Sequence, residues 1–307
     1  MRKPPVKHHY IPAFYLRRWA ETQDKVLEFS MPLQGKLVTK PISPDGTGFQ
    51  PRLYELKGYE PELAMQVEQR FFQIVDDTAA KALDQLERRG HYGEWSDDRR
   101  SGWSRFMLSL MLRCPEDVDA FREWWHADFL HTDEAMEERY AAQRLPEDAV
   151  TFAAYLAEQP LAEVERHQFD IFVSLIDHVN VGGEMNRMHW RVLEAPAEAP
   201  SYLTSDRPII RTSNISGEEG HIALPIGPRL LFIASPHRVF LDRLLRADAI
   251  GLVKGVNRQV VEGAQRFVWG ADDSQARFIQ NRFGRDRQSR LMDNILAGRR
   301  KALDEAG

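Results

Sequence analysis

From Pro61 the apolar positions Leu63, Val67, Phe71, Ile74, Val75, Ala79, Ala82 and Leu86 recur three and four residues apart. That spacing lays one apolar stripe along a helix, and the basic pair Arg88 and Arg89 followed by Gly90 ends it. Ser96, Asp97 and Asp98 open a second helix, which carries Trp103, Phe106, Met107, Leu110 and Met111 and stops before Pro115. The pattern predicts a third helix over about 116–143 with one solvated face. A fourth runs from Pro146 toward Gln159, and a fifth from Pro160 to Gly182 and Gly183.

After residue 185 the rhythm shortens. Residues 189–194 alternate as a strand does, and 201–204, 209–211, 222–225 and 230–234 are short strand candidates between turn residues. Helical spacing returns at 236–249, at about 253–267 and at 273–283. Near the start, 25–30 and 36–39 flank Pro32 through Gly35 as the arms of a hairpin, and the Pro- and Gly-rich stretch from 41 to 51 reads as loop. Strands and helices that segregate along the chain predict a mainly helical α+β fold with a small antiparallel or mixed sheet. The expected organisation is one domain over 1–283. It holds a helical block at about 61–183, a strand-rich part at about 186–235 and C-terminal helices at about 236–283. Residues 284–307 form a polar tail or a terminal helix.

Composition narrows the class without naming it. Apolar residues at 43% and charged residues at 28% suit a globular chain with a sizeable core. The net charge of −5 lacks the basic surplus of a general nucleic-acid binder, although it does not report a local basic face. The one cysteine, Cys114, excludes a disulfide within the chain and reads as a buried small hydrophobe. The N-terminus is basic but lacks an apolar signal region, and no apolar run is long enough to span a bilayer. A cytoplasmic protein without a membrane partner is therefore expected.

Candidate chemistry sits in four places. Lys7, His8, His9 and Tyr10 bring a paired imidazole to the N-terminus. Either histidine can serve as general base, metal ligand or anion contact. On a strand adjacent side chains point to opposite faces, so the two share a site only in a turn. Ser205 and Asp206, before Arg207-Pro208, offer a nucleophile and a metal ligand or base, or an ordinary turn in which the Asp side chain accepts from backbone N–H groups. Glu68 and Asp76 lie eight residues apart on the predicted helix, about 80° apart around its axis. Arg113, at the inner end of an apolar helix, requires either a carboxylate or a substrate anion. No P-loop, GxSxG, HExxH or GxGxxG signature is present.

The run from Lys7 to Leu16, with His8-His9-Tyr10-Ile11-Pro12 at its centre, resembles the opening of a bacterial family catalogued as domain of unknown function 4238. Gly48-Phe49 with Leu53-Tyr54 resembles that family's second block, and Val67-Glu68 with Asp76 its acidic helix. Leu112-Arg113-Cys114-Pro115 is similar to its Arg-Thr-Pro helix end, with Cys for Thr. Ser205-Asp206-Arg207-Pro208 resembles its Ser-Asp-X-Pro block, and Leu224-Pro225-Ile226 and Asn257 its last two. The resemblance implies a family but no activity. It does place His8, His9, Glu68, Arg113, Ser205 and Asp206 in family-like blocks, and polar signature positions point to a site more often than to packing.

Two functions follow as expectations. The first is a hydrolase of a phosphate-containing substrate, such as a metal-dependent nuclease. In it His8, His9, Arg113, Ser205 and Asp206 are catalytic, Lys7, Tyr10 and Glu68 bind substrate, and a divalent cation takes part. Its partner is a phosphate-containing small molecule or a nucleic acid; no motif specifies a metal or an oligomeric state. The second is a non-catalytic binding or regulatory protein. There the same residues form a buried hydrogen-bond network that locks the N-terminal arm onto the helical block.

Overall fold

The computed structural model describes residues 7–20, 23–33, 35–59, 64, 67–128 and 131–306. Helix accounts for 52% and strand for 16%, so the chain is a mainly helical α+β protein. Every strand pair given by the register is antiparallel. Among the described residues no helix is long and apolar enough to cross a membrane.

The N-terminal arm organises the rest. Strand β1 (Lys7–His9) pairs with β4 (Phe49–Pro51), placing His8 opposite Gln50. Helix α1 (Ala13–Leu16) and the turn Arg17–Trp19 follow β1, then the hairpin β2 (Val26–Leu33) and β3 (Lys36–Ile42). The arm is bolted down by two aromatic side chains. Tyr15 Oη donates to the Pro225 carbonyl at 2.7 Å, and Trp19 Nε1 donates to the Tyr202 carbonyl at 2.7 Å. Each ring buries a large apolar area while its polar atom reaches a partner, which keeps such burial favourable.

Two further sheets lie behind the arm. One has the order β3-β2-β10-β6, with β6 at Thr204–Ser205 and β10 at Val268–Gly270. The other has the order β5-β9-β8-β7, with β5 at His189–Glu194, β7 at Ile210–Arg211, β8 at Ile222–Pro225 and β9 at Leu230–Ser235. Strand β9 divides the core. Phe232 and Ala234 face a large cluster with the arm and the helical block, while Leu231 and Ile233 face a second cluster with Val253 and Val260. Burial on both faces explains why β8 and β9 read as continuous apolar runs rather than alternating ones.

The helical block centres on α2 (Gln73–Arg89), preceded by a π-helical turn at Glu68–Phe72, and on α3 (Asp97–Leu112). The predicted start of the first helix at Pro61 lies outside the described residues. Gly90 ends α2 at φ 59, a conformation that glycine adopts without a Cβ clash. Ser96 caps α3 by accepting from the Arg99 amide.

Some expected boundaries shift, each for a local reason. The third helix is two, α4 (Pro115–Asp128) and α5 (Glu134–Gln143), because the Asp133 carboxylate caps the second start. The helix expected from Pro146 begins instead after its Thr151 cap, as α6 (Phe152–Ala157). The fifth splits into α7 (Leu161–Ile176) and α8 (Val179–Arg187), and the His178 ring caps α8, which runs through the glycine pair. Later come α9 (Arg238–Leu244), α10 (Ala249–Gly263) and α11 (Ala276–Arg282). Helical spacing up to about residue 267 hides the end of α10 at Gly263, and strand β10 falls between that stretch and the next expected helix at 273. The tail carries a helix, α12 (Leu291–Ala306), with Met292 and Leu296 buried.

Helices α2 and α3 approach closely at Gly102. A Cβ built there would overlap Thr78 Cγ2 and lie 3.1 Å from Thr78 Cβ. Gly102→Ala is therefore expected to destabilise by about 1–3 kcal/mol through overpacking, read as a lower Tm. Thr78→Ala in the same chain should recover most of the loss. Additive losses in the double variant would contradict the close-approach account.

Candidate functional site

Because Lys7–His9 is a strand, the two histidines face opposite ways. His8 is fully buried. Its Nδ1 accepts from the Tyr54 amide at 2.9 Å, and its ring stacks on Tyr54 at 5.5 Å and 10°. Accepting at Nδ1 leaves Nε2 as the protonated nitrogen of the neutral ring. His9 lies against Phe49, with the ring centroids 5.6 Å apart. Burial pushes its pKa down to about 4, partly offset by Asp45, so the imidazole is neutral at pH 7.

Arg113 caps the end of α3 and is fully buried. Its Nε donates to the Tyr10 carbonyl at 3.0 Å and its Nη1 to Asp76 Oδ1 at 2.9 Å. Phe72 and Phe106 flank the guanidinium at 5.8 and 5.5 Å. The Tyr54 hydroxyl donates to the Arg113 carbonyl at 2.9 Å. The partner expected of Arg113 is thus a carboxylate, yet its Nη2 has none among the described residues. Glu68, on the π-helical turn, has its carboxyl pushed up to about 8 by burial and then by Asp76, with Arg113 opposing. Glu68 Oε2 and His9 Nε2 are also buried without partners among the described residues. Arg113 acts electrostatically on both groups.

The Ser-Asp block has a different construction. Asp206 Oδ1 accepts from the amides of Gln265 at 3.0 Å and Phe267 at 3.4 Å, and Oδ2 from the Arg266 amide at 2.9 Å. Burial raises the Asp206 pKa, and the three amides and Arg207 pull it back. Ser205 Oγ accepts from the Arg207 amide at 3.1 Å, a side-chain turn. The Arg207 guanidinium pairs with Asp117 and with Glu116, and Glu116 also receives Arg266. Burial pushes the Asp117 carboxyl up to about 6, against Arg207. Cys114 Sγ donates to the Asp206 carbonyl at 3.1 Å, and burial drives its thiol far above the ordinary range. It is a packed thiol, not a thiolate.

His8, Arg113, Tyr54 and Asp76 are therefore brought together, with Glu68 and His9 within reach of the Arg113 field. Ser205 and Asp206 belong to a second network, joined to the first through the adjacent residues Arg113 and Cys114. Among the described residues, Ser205 and Asp206 accept from backbone amides rather than from a histidine. Among those residues, too, no group of three or more His, Cys, Asp or Glu gathers as metal ligands would.

Sequence reasoning misses several participants. Tyr54 reads only as a member of a block, one of several apolar residues between Phe49 and Tyr59, and nothing local singles it out. Arg207 stands as the variable position of Ser-Asp-X-Pro. Glu116 and Asp117 read simply as first-turn acids of α4, which they are as well.

The two networks share a front. Tyr10, whose carbonyl receives Arg113, lines a cleft of about 540 Å³ together with Met31, Phe49, Gln50, Arg266 and Phe267. The backbone at 265–267 that Asp206 holds is one wall of it. Lys7 stands at its edge, with Nζ 4.6 Å from the Phe49 ring centroid.

Two measurements check this site. Asp206→Ala strands three buried or half-buried amides and is expected to cost about 3 kcal/mol or more, read by chemical denaturation. Unchanged stability would deny Asp206 its holding role. Glu68 supplies a pH signature. Its folded pKa of about 8 lies above the ordinary 4.5, so the folded state binds the extra proton between those values. Stability contributed by Glu68 is fully present below about 4.5 and lost as pH rises toward 8. Glu68→Gln should flatten that decline; an unaltered pH profile would show that the carboxyl titrates normally.

No curated protein and no solved structure matches the chain. One family does match, over residues 7–274, a span that holds both networks and the cleft in front of them. The chain belongs to that family, described as Protein of unknown function (DUF4238).

Proposed function

We propose that the protein is a non-catalytic binding protein for a phosphate-bearing ligand, a nucleotide unit held in the cleft between Tyr10, Phe49 and Phe267. The observation that carries this reading is the commitment of Asp206: both oxygens are used by the amides of the loop that forms one wall of the cleft. Asp206 with Ser205, and His8 with Tyr54, then serve as frame. The cleft itself suits a nucleotide. Phe49 and Phe267 offer aromatic rings against a base, and the amide of Gln50 can bond its edge. Lys7, over the Phe49 ring, brings positive charge for phosphate, to which Arg266 adds a guanidinium shared with Glu116. A site of this size falls within the range of about 300–1,000 Å³ usual for small-molecule pockets.

A hydrolase remains the second reading, favoured by the three partnerless atoms around Arg113. Buried polar atoms of native proteins are nearly always satisfied, so Arg113 Nη2, Glu68 Oε2 and His9 Nε2 together fit a site that awaits a polar ligand. A neutral His9 is a base in the correct state, a protonated Glu68 an acid, and Arg113 an anion contact.

Calorimetric titration with nucleoside mono- and triphosphates and a ten-residue single strand decides between them. Binding without turnover is expected, weakened at least tenfold by Phe49→Ala and by Arg266→Gln with little change in Tm. No binding at millimolar ligand would refute the cleft assignment. Hydrolysis of any of these ligands with Mg²⁺, Mn²⁺ or Zn²⁺, abolished in His9→Ala, would replace it with the catalytic reading.

A further inference from the structure

A pair of cavities lies where α3, α8, α10, β7, β8 and the start of α12 meet. The larger chamber, about 500 Å³, has an apolar lining that includes Met111, Met185, Met188 and Ile222. Three methionines give it a soft, adaptable wall that accepts more than one apolar shape. The smaller chamber has a mixed lining, with Arg207, Arg211, Arg290, Gln259 and Gln288 beside Leu110, Met111 and Ile209. Met111, Arg211 and Leu291 line both, so an apolar chamber and a cationic one adjoin at these side chains.

The three arginines are not equivalent. Arg207 and Arg290 are occupied by Glu116, Asp117 and Asp293. Arg211 sits at the junction, half-buried, and Nη2 donates to the Ser289 carbonyl at 2.9 Å. No carboxylate pairs with it among the described residues. A half-buried guanidinium beside two chambers and without a counter-charge favours an anionic occupant. At the rim of the apolar chamber Glu184 is neutralised by Arg187, so it does not repel one.

We propose that these adjoining chambers bind an amphipathic small molecule, with its apolar body in the methionine-lined chamber and its carboxylate or phosphate head on Arg211. The site adjoins the nucleotide cleft at Gln265, which lines the cleft and the smaller chamber alike, but it does not depend on that reading. The occupant fits by charge as well as by shape: the apolar end holds no unpaired charge, and the open cation stands where the chambers join.

Calorimetric titration of the full chain with decanoate, decyl phosphate and decanol tests the proposal. Decanoate or decyl phosphate is expected to bind one per chain, and the tighter of the two identifies the head. Arg211→Gln should weaken the bound anion at least tenfold and leave decanol unchanged. Ile215→Trp, at a half-buried lining position, should exclude all three by filling the chamber. Val181→Trp, at an exposed lining position, serves the same purpose should the first variant fail to fold. Phe49→Ala should change nothing. Absence of binding at millimolar ligand, anion affinity indifferent to Arg211→Gln, or affinity indifferent to both tryptophan variants would overturn the assignment.

Discussion

A carboxylate shut away from water must be satisfied locally or be expelled, and Asp206 is satisfied by three backbone amides of one loop. Much of the molecule is arranged around that constraint. The loop at 265–267 leads directly into β10, which lies between β2 of the N-terminal hairpin and β6, the strand that ends at Ser205. Asp206 thus closes a ring of contacts: strand to turn, turn to loop, loop back to strand. The Cys114 thiol on its carbonyl extends the ring to the end of α3.

Arg113, the chain neighbour of Cys114, has the corresponding role in the first network. It ties the arm through the Tyr10 carbonyl and α2 through Asp76, while its own carbonyl receives Tyr54. Breaking a buried ion pair costs more than the pair contributes, so what Arg113 shows is geometry, the place where the arm meets α2 and α3, more than net stability. The surrounding groups avoid further charge. His9 loses its proton and Glu68 keeps one at neutral pH, each under the pressure of burial. The region is polar but sparingly ionised, which suits a frame and also suits a pocket tuned for a ligand.

The long helices are legible in the sequence for two reasons. Helix α2 repeats one buried face over many turns, from Phe71 to Leu86, and α3, buried nearly all round from Gly102 to Leu112, is an apolar run bounded by the Ser96 cap and Pro115. Strand β10 is not, because three residues joined to the sheet by distant partners carry no period of their own. The helix breaks at Asp133 and His178 depend on single capping side chains within runs whose spacing is otherwise helical. At the site, the blocks mark His8, Arg113 and Asp206 as unusual. What each does depends on partners 46, 37 and about 60 residues away, and no local pattern encodes those. The division of His8 from His9 is legible in principle: once the segment is a strand, alternation places one ring in the core and the other against Phe49.

Native-state hydrogen exchange of the Asp206→Ala chain, which removes both accepting oxygens, tests the frame most directly, since it reads the amides that the carboxylate holds. The account predicts accelerated exchange at Gln265, Arg266 and Phe267, spreading to β10, while α2 and α3 keep their protection. Unchanged exchange at those three amides, or uniform loss across the whole molecule, would contradict it.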